Sequence, residues 1–315
     1  MTPAYVHPLT FRGVTIRNNI FFAPVAGYSD VAYRRICKRF GAGLTVTEMV
    51  SAKGLVYEND RTCHLLDTAE NEDVTCAQIF GGDPEFFRRV LAEGYLDKFD
   101  IVDVNMGCPV GKIVKNGEGS ALMDDPKRAA EIVSVCRRET DKVLSVKFRT
   151  GVRTQTATEF AKVIEGAGAD FVTVHGRTAK QMYAGRADRD YLAKVVSAVK
   201  IPVIANGDVD GAASAADMFA RTGCAGVAVA RGALGNPAVF SEILGEPKPF
   251  SAAAVLREQF REMCRIGERY AVLNIRKHVP LFLKGKAGAA AFRGRINLCT
   301  SAEEVLALVD EFEGL

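Results

Sequence analysis

Residues 100–149 read DIVDVNMGCPVGKIVKNGEGSALMDDPKRAAEIVSVCRRETDKVLSVKFR. Two short runs rich in β-branched residues, DIVDVN (100–105) and LSVKFR (144–149), bracket the segment. Their apolar character is that of parallel strands buried on both faces. Pro126 to Thr140 between them is amphipathic at helical spacing, and an Asp precedes Pro126, a helix-start signal. Strand, crossover helix and strand make one β-α-β unit. Outward from it the rhythm repeats. Further strand-like runs are NIFFAP (19–24), LTVTEM (44–49), TCAQIF (75–80), DFVTVH (170–175), PVIANG (202–207) and GVAVAR (226–231). Amphipathic stretches lie between them, among them Pro84 to Gly94, Thr156 to Gly166 and Ala212 to Thr222. Eight strands with eight intervening segments, ending near Ile243, predict a (β/α)8 TIM barrel rather than an open doubly wound sheet.

Pro247 and Pro249 then punctuate the chain. From Ser251 only helical patterning remains, in AAAVLREQFREMCRIGERY (252–270), IRKHVPLFLKG (275–285) and SAEEVLALVDEF (301–312). The expected organisation is a barrel domain over residues 1–245 and a small all-helical domain over 246–315.

The chain's 315 residues are 48% hydrophobic and 25% charged, enough apolar material for a large core, which argues against disorder. Formal net charge is only +3, so partners must be read from where charge is placed. Eight cysteines, at 37, 63, 76, 108, 136, 224, 264 and 299, form no C-x-x-C pair and no Cys/His cluster of zinc-like spacing, so no metal site is expected. The opening MTPAYVHPLTFRG lacks the basic start and apolar run of a signal peptide. No apolar run reaches the roughly 18 residues of a membrane span. The expected compartment is a reducing cytoplasm, with most cysteines as small buried hydrophobes.

In such a barrel, chemistry sits where the strands end at the C-terminal face. Those ends carry Pro24-Val25-Ala26, Glu48, Gln78, Asn105 with Cys108, Lys147 with Arg149, His175 with Arg177, Asn206-Gly207-Asp208 and Ala230-Arg231-Gly232, strand by strand. Unpaired buried polar groups are costly, and a purely structural barrel has no need of this set. Singly, each has a plainer reading as a rim histidine, a solvated lysine or a turn glycine. Together, Gly207, Gly232 and Arg231 look like a phosphate site after strands seven and eight, with backbone N–H groups uncovered at the glycines. The absence of G-x-x-x-x-G-K-[ST] and of G-x-G-x-x-G argues against a P-loop or a dedicated dinucleotide domain. Gln78 can pair with a pyrimidine-like ring edge and Lys147 can hold negative charge, so the set fits flavin mononucleotide (FMN). Several other phosphate-binding barrels meet the same test.

Seven stretches in order carry a family resemblance: APVAGYSD (23–30), QIFGGDPEFF (78–87), VNMGCPVGKIVKNGEGSALM (104–123), SVKFRTG (145–151), VTVHGRT (172–178), IANGDV (204–209) and ARGALGNP (230–237). They closely resemble the tRNA-dihydrouridine synthases of the bacterial B type, from about residue 10 to the end, RKHVPLFLKG (276–285) included. The N-x-G-C-P segment with its glycine-rich continuation is highly specific. The resemblance implies an FMN-binding barrel followed by a helical tRNA-binding domain. It implies reduction of the uracil C5=C6 bond of specific uridines in tRNA to 5,6-dihydrouridine, with NADPH, or NADH in its place, restoring the reduced flavin. Matched motif by motif, Pro24, Val25, Ala26, Gln78, Lys147, Asn206, Gly207, Asp208, Ala230 and Arg231 fall on the family's flavin contacts. His175 falls on a histidine near the flavin, and Cys108 on the catalytic acid. Val25 and Tyr28-Ser29 depart from the first motif; Val25 is a conservative change, and Tyr28 near the mouth can alter substrate contacts.

That chemistry gives the cysteine a task. The C5=C6 bond is conjugated to the C4 carbonyl, so hydride from reduced flavin is expected at C6, leaving C5 basic. A thiol is protonated at neutral pH yet acidic enough to release its proton, so Cys108 is expected to protonate C5. Glycines 107, 111, 117 and 119 and the scarcity of apolar residues suggest a mobile lid over the base, with Lys112 and Lys115 toward RNA. The base must leave its stack to be reached. Asn105, Arg149 and Arg177 are candidate substrate contacts. Residues 269–297 hold Arg269, Arg276, Lys277, Lys284, Lys286, Arg293 and Arg295 with no Asp or Glu, a formal +7. Charge runs are usually solvated helix faces; this one predicts a phosphate-tracking surface, with Lys277, Lys284, Arg293 and Arg295 as candidate tRNA contacts. Recognition by overall tRNA shape is expected, no protein partner is implied, and a monomer is the default. Two other readings stay open. An FMN barrel acting on a small molecule has no use for the basic helices. A non-catalytic tRNA-binding scaffold has no use for Gln78, Lys147, His175 and Cys108 together.

Overall fold

The computed structural model describes residues 2–57, 64–285 and 288–311. An antiparallel hairpin opens the chain, β1 (Leu9–Phe11) and β2 (Val14–Ile16). Its two-residue turn holds Arg12 and Gly13 at φ 46° and 84°, the left-handed pair that a tight hairpin of this twist requires. The barrel follows as β3 (Ile20–Phe22), β4 (Leu44–Val46), β5 (Val50–Ser51), β6 (Thr75–Phe80), β7 (Ile101–Met106), β8 (Val143–Arg149), β9 (Phe171–His175), β10 (Val203–Asn206) and β11 (Gly226–Val229). Pairing runs parallel from β3 through β4 and β6 to β11, and β11 returns to β3, so the ring closes on eight positions. A closed ring has no edge, and the helices cover its outer face.

The eight expected strands are the ring. The second is broken: LTVTEM is strand only through Val46, and the chain departs at Thr47 before rejoining β6 as β5. There the Thr47 hydroxyl oxygen accepts the Gln78 N–H at 2.9 Å in place of a ladder bond. The departure brings Met49 into the cavity wall described below.

The hairpin has no counterpart in the sequence reading, because strands of three residues show no periodicity. Its Leu9, Phe11 and Ile16 pack into the N-terminal end of the barrel with Phe21, Leu44, Ile101, Val143 and Phe171. The Phe11 and Phe171 rings lie 4.7 Å apart. That end is a plugged floor.

Helices start where their caps place them. Asp83 accepts from the Glu85 N–H ahead of Pro84–Ala92, and Asp125 from the Arg128 N–H ahead of Pro126–Glu139, each with proline in the first turn. Helices Ala252–Cys264, Glu268–Phe282, Ala289–Leu298 and Ala302–Glu311 form the C-terminal bundle. Its core is continuous with that of the barrel: Tyr33, Phe40 and Phe240 share one buried cluster with Phe260, Ile275, Phe292 and Val309. Lys286 and Cys63 lie outside the described residues. No helix among the described residues is long and apolar enough to cross a membrane.

Candidate active site

A cavity of about 320 Å³ opens at the carboxyl ends of the strands. Its wall includes Pro24, Val25, Ala26, Gln78, Asn105, Cys108, Lys147, Arg149, His175, Asn206, Gly207, Asp208, Ala230 and Arg231. The convergence follows from strand register: in β7 and β8, Asn105 lies beside Lys147, and across β8 and β9, Arg149 lies beside His175.

One amide network organises a full side of the cavity. Asp103, inside β7, accepts from Gln78 Nε2 at 2.6 Å and from the Ser145 hydroxyl at 2.5 Å. Burial pushes its carboxyl up, and those two hydrogen bonds pull the other way. Gln78 Oε1 accepts from Asn105 Nδ2 at 2.9 Å. Asn105 Oδ1 accepts the N–H groups of Gly107 (3.1 Å) and Cys108 (2.9 Å). The amide of Gln78 is therefore fixed, with one N–H and one lone pair left over. Asn105, expected as a substrate contact, spends both ends of its amide on this network; it bridges Gln78 to Cys108. Asp103 was legible and overlooked, since an acid in the middle of a strand buried on both faces needs partners.

Cys108 is half-buried, and burial raises its thiol above the ordinary value, opposed by the Val110 N–H and the Arg149 charge. It is a neutral thiol at neutral pH. The segment after it is not slack. Residues Gly111–Lys115 form a helical turn and Gly119–Asp124 a 3-10 turn, with Leu122 and Met123 buried in the core. The Ser120 N–H donates to the Cys108 carbonyl at 3.0 Å. Gly119 (φ +60°) is there for close approach: a Cβ would sit 2.7 Å from the Cys108 carbonyl oxygen. The lid expectation narrows to residues 109–118, where Val110, Gly111, Lys112, Lys115 and Gly117 are exposed.

Lys147 Nζ lies 3.5 Å from Asn206 Oδ1. Burial, then the Arg149 charge, lowers it to about 8. Burial and the surrounding Lys147, Arg149, Arg177 and Arg231 cations push His175 down to about 2, so its imidazole is neutral. Its Nε2 faces the Arg177 guanidinium at 3.3 Å; the guanidinium donates, which leaves the ring proton on Nδ1.

Arg177, expected as a substrate contact, does not line the cavity. It is buried, and its guanidinium donates to the Ala184 and Gly185 carbonyls (3.2 and 2.7 Å) and to both Asp208 oxygens at 2.7 Å. Arg149 donates to the carbonyls of Gly107 (2.9 Å), Thr178 (3.1 Å) and Met182 (2.9 Å) while lining the cavity. Together they pin the 178–187 strap over the rim. Asp208 (φ 52°) also accepts the Ala187 N–H at 2.7 Å and faces Arg231 at 3.3 Å. Burial raises its carboxyl, but the Arg177 and Ala187 hydrogen bonds and the two arginine charges outweigh it and hold it low. Gly232 lets the turns after β10 and β11 pack: its Cβ would fall 2.4 Å from the Val209 carbonyl oxygen.

Met49, Met182 and Tyr183 line the cavity without any sequence signal. Tyr183 is 56% exposed, its ring facing the guanidinium groups of Arg231 at 5.0 Å and Arg149 at 6.0 Å. Among the expected tRNA contacts, Lys277 comes to the mouth, 5.9 Å from the ring of Tyr28, while Nζ also donates to Asn274 at 2.7 Å. Lys284 and Arg293 are exposed. Arg295 is engaged, paired through both terminal nitrogens with Glu311 at 2.6 and 2.8 Å.

A closed parallel barrel with a protonated thiol, a neutral histidine and a half-buried lysine in one cavity at its strand ends defines a (β/α)8 enzyme. Residues 21–313 match the family model Dihydrouridine synthase (Dus). The chain belongs to the dihydrouridine synthase family and is an oxidoreductase. It is similar to the probable tRNA-dihydrouridine synthase of Rickettsia conorii, 36% identical over 315 residues, covering 95% of this chain and 94% of that one. It is also similar to tRNA-dihydrouridine synthase B of Pseudomonas aeruginosa, 33% identical over 311 residues, covering 95% and 93%. Among solved structures, a variant of NCR from Zymomonas mobilis shares the fold at TM-score 0.55, 15% identity, 79% of this chain and 93% of that one. A 2-naphthoyl-CoA reductase complex shares it at TM-score 0.59, 11% identity, 76% and 52%.

Proposed function

We propose that this protein is a tRNA-dihydrouridine synthase that reduces the C5=C6 bond of uridines in tRNA, with FMN as cofactor and NADPH as reductant. The names of its relatives support the substrate. The arrangement that carries the reading is the Gln78–Asn105–Cys108 network, in which one set of amides fixes both a ring-edge partner and an acid.

The donor set fits a flavin. Gln78 retains one donor and one acceptor for a ring edge. Lys147 is a half-buried cation that forms no ion pair among the described residues, and an anionic ligand would offset the cost of its burial. Arg231, half-exposed beside the Gly207 and Gly232 turns, offers charge to a phosphate. Pro24, Val25 and Ala26 supply an apolar wall. When bound, the flavin supplies the hydride, taken from NADPH, that adds at uracil C6. The chain's residues do the rest. The Cys108 thiol gives its proton to C5, and Asn105 and Ser120 hold that residue by its backbone at both sides. Neutral His175 can donate from Nδ1 without adding charge to a site already rich in cations. Arg149 and the exposed ring of Tyr183 border the entry for the extruded base. Residues 246–315 act as the tRNA-binding domain through Lys277, Lys284 and Arg293, and the protein works as a monomer in the cytoplasm.

The test is nucleoside mass spectrometry of unmodified tRNA incubated with the purified protein and NADPH. Wild type is expected to convert uridine to dihydrouridine, and Cys108→Ala to lose about 10²–10⁴ of the rate. A yellow protein that oxidises NADPH and leaves tRNA unchanged would sink the reading in favour of a small-molecule flavoenzyme.

A further inference from the structure

Helix Glu268–Phe282 of the C-terminal bundle buries His278 completely against the first β-to-α loop of the barrel. Neither ring nitrogen has a hydrogen-bond partner among the described residues, and neither does Asp30 Oδ2. His278 Nε2 lies 3.5 Å from that oxygen. The rings of Tyr28 and Tyr33 flank the imidazole at 5.3 and 5.5 Å between centroids. Three buried unpaired polar atoms are costly, and two of them face each other at the edge of hydrogen-bond distance. A small approach of the helix satisfies both.

Asp30 is well placed to pass that contact on. Its other oxygen caps helix Val31–Arg39 by accepting the Tyr33 N–H at 2.9 Å. It also ends the loop of residues 24–29, whose Pro24, Val25 and Ala26 wall the cavity next to Tyr28. That loop is tightly bonded. The Val25 carbonyl accepts the N–H groups of Tyr28 and Ser29 at 2.9 Å each, the Ser29 hydroxyl oxygen accepts the Val25 N–H at 3.0 Å, and Glu48 accepts the Gly27 N–H. The loop therefore moves as one piece, and Asp30 and Tyr28 are its two grips. A histidine that merely filled the core would not need a carboxylate opposite one nitrogen and the cavity's own Tyr28 against its ring.

We propose that His278 is a positioning residue: through Asp30 and Tyr28 it sets the 24–29 loop, so the first wall of the cavity is complete only when the C-terminal helix is seated. For its kinetic consequence this rests on the function proposed above. The helix that brings Lys277 to the mouth thereby also shapes the cavity beneath it.

Two variants isolate the contact. His278→Phe keeps a ring of similar volume without nitrogen. Asp30→Ser keeps a helix cap but withdraws the oxygen that faces His278. Amide exchange is measured on the full-length protein as purified at Val25, Gly27, Tyr28 and Ser29, followed by tRNA affinity and turnover. The expected result for both variants is about tenfold faster exchange at those four amides. Turnover is expected to fall about tenfold, with tRNA affinity within about twofold of wild type. Unchanged exchange at those amides in both variants overturns the inference, as does a loss of tRNA affinity equal to the loss of turnover. The exchange measurement needs neither added cofactor nor tRNA. A wild type that left tRNA unmodified would count against the proposed function alone.

Discussion

Cys108 is fixed on both sides of its Cα, the N–H by Asn105 and the C=O by Ser120, so the thiol keeps its place whatever residues 109–118 do. Gly119 is the tightest neighbour. In Gly119→Ala, a Cβ at φ +60° would press on the Cys108 carbonyl from 2.7 Å. We expect a loss of more than about 1 kcal/mol in denaturant unfolding, together with slower dihydrouridine formation. Two groups in the site give separate alkaline limbs. Lys147 loses its charge as pH rises through about 8, burial and then Arg149 being the causes. Flavin affinity is expected to weaken as pH rises past about 8, and Lys147→Arg is expected to abolish that limb in a flavin titration. Cys108 is needed protonated, and its value is raised, so the acid itself is lost only at higher pH. A single limb near 8 that survives in Lys147→Arg would refute the assignment.

At the scale of elements, the strap of residues 178–187 hangs on Arg177, whose fork holds the Ala184 and Gly185 carbonyls and Asp208 at once. A lysine has one nitrogen and cannot span them. Arg177→Lys is expected to loosen the strap around the exposed Lys180 and Arg186, seen as faster trypsin cleavage within it in limited proteolysis; a strap as resistant as wild type would show that Arg149 alone suffices. Such an anchor was not legible in the sequence. Arg177 reads there as one more cation at a strand end, because what spends it is a pair of carbonyls seven and eight residues on and a carboxylate beyond the end of another strand. The ring of strands was legible for the opposite reason: buried parallel strands must be apolar on both faces, so each announces itself without its partners. The hairpin β1–β2 gave no such signal, and the break after Val46 looked like continuous strand because Thr47 and Met49 suit either state. In the cavity, Gln78, Cys108, Lys147 and His175 could be placed from their strand ends alone. Met182 and Tyr183 owe their position to the strap, and no spacing encodes it.

The whole molecule carries little net charge, and its cations are unequal. Arg293 is exposed, while Arg295, two residues on, is held in a two-point pair by Glu311. Removing one cation that neutralises a phosphate lowers the slope of log affinity against log salt by about 0.7–0.9. Arg293→Ala is expected to lower it by about that much and Arg295→Ala by little; equal effects would place both on the RNA.

The core that runs unbroken from Tyr33 and Phe40 into Phe260 and Ile275 has a consequence for anyone recombining relatives of this protein. Pro247 looks like a suture, yet a graft made there would set one parent's helix Val31–Arg39 against another parent's Ala252–Cys264, across the core they share. The C-terminal helices are thus inherited together with the head of the barrel. A change of tRNA preference by transplantation has to carry residues 31–40 along with everything after 251.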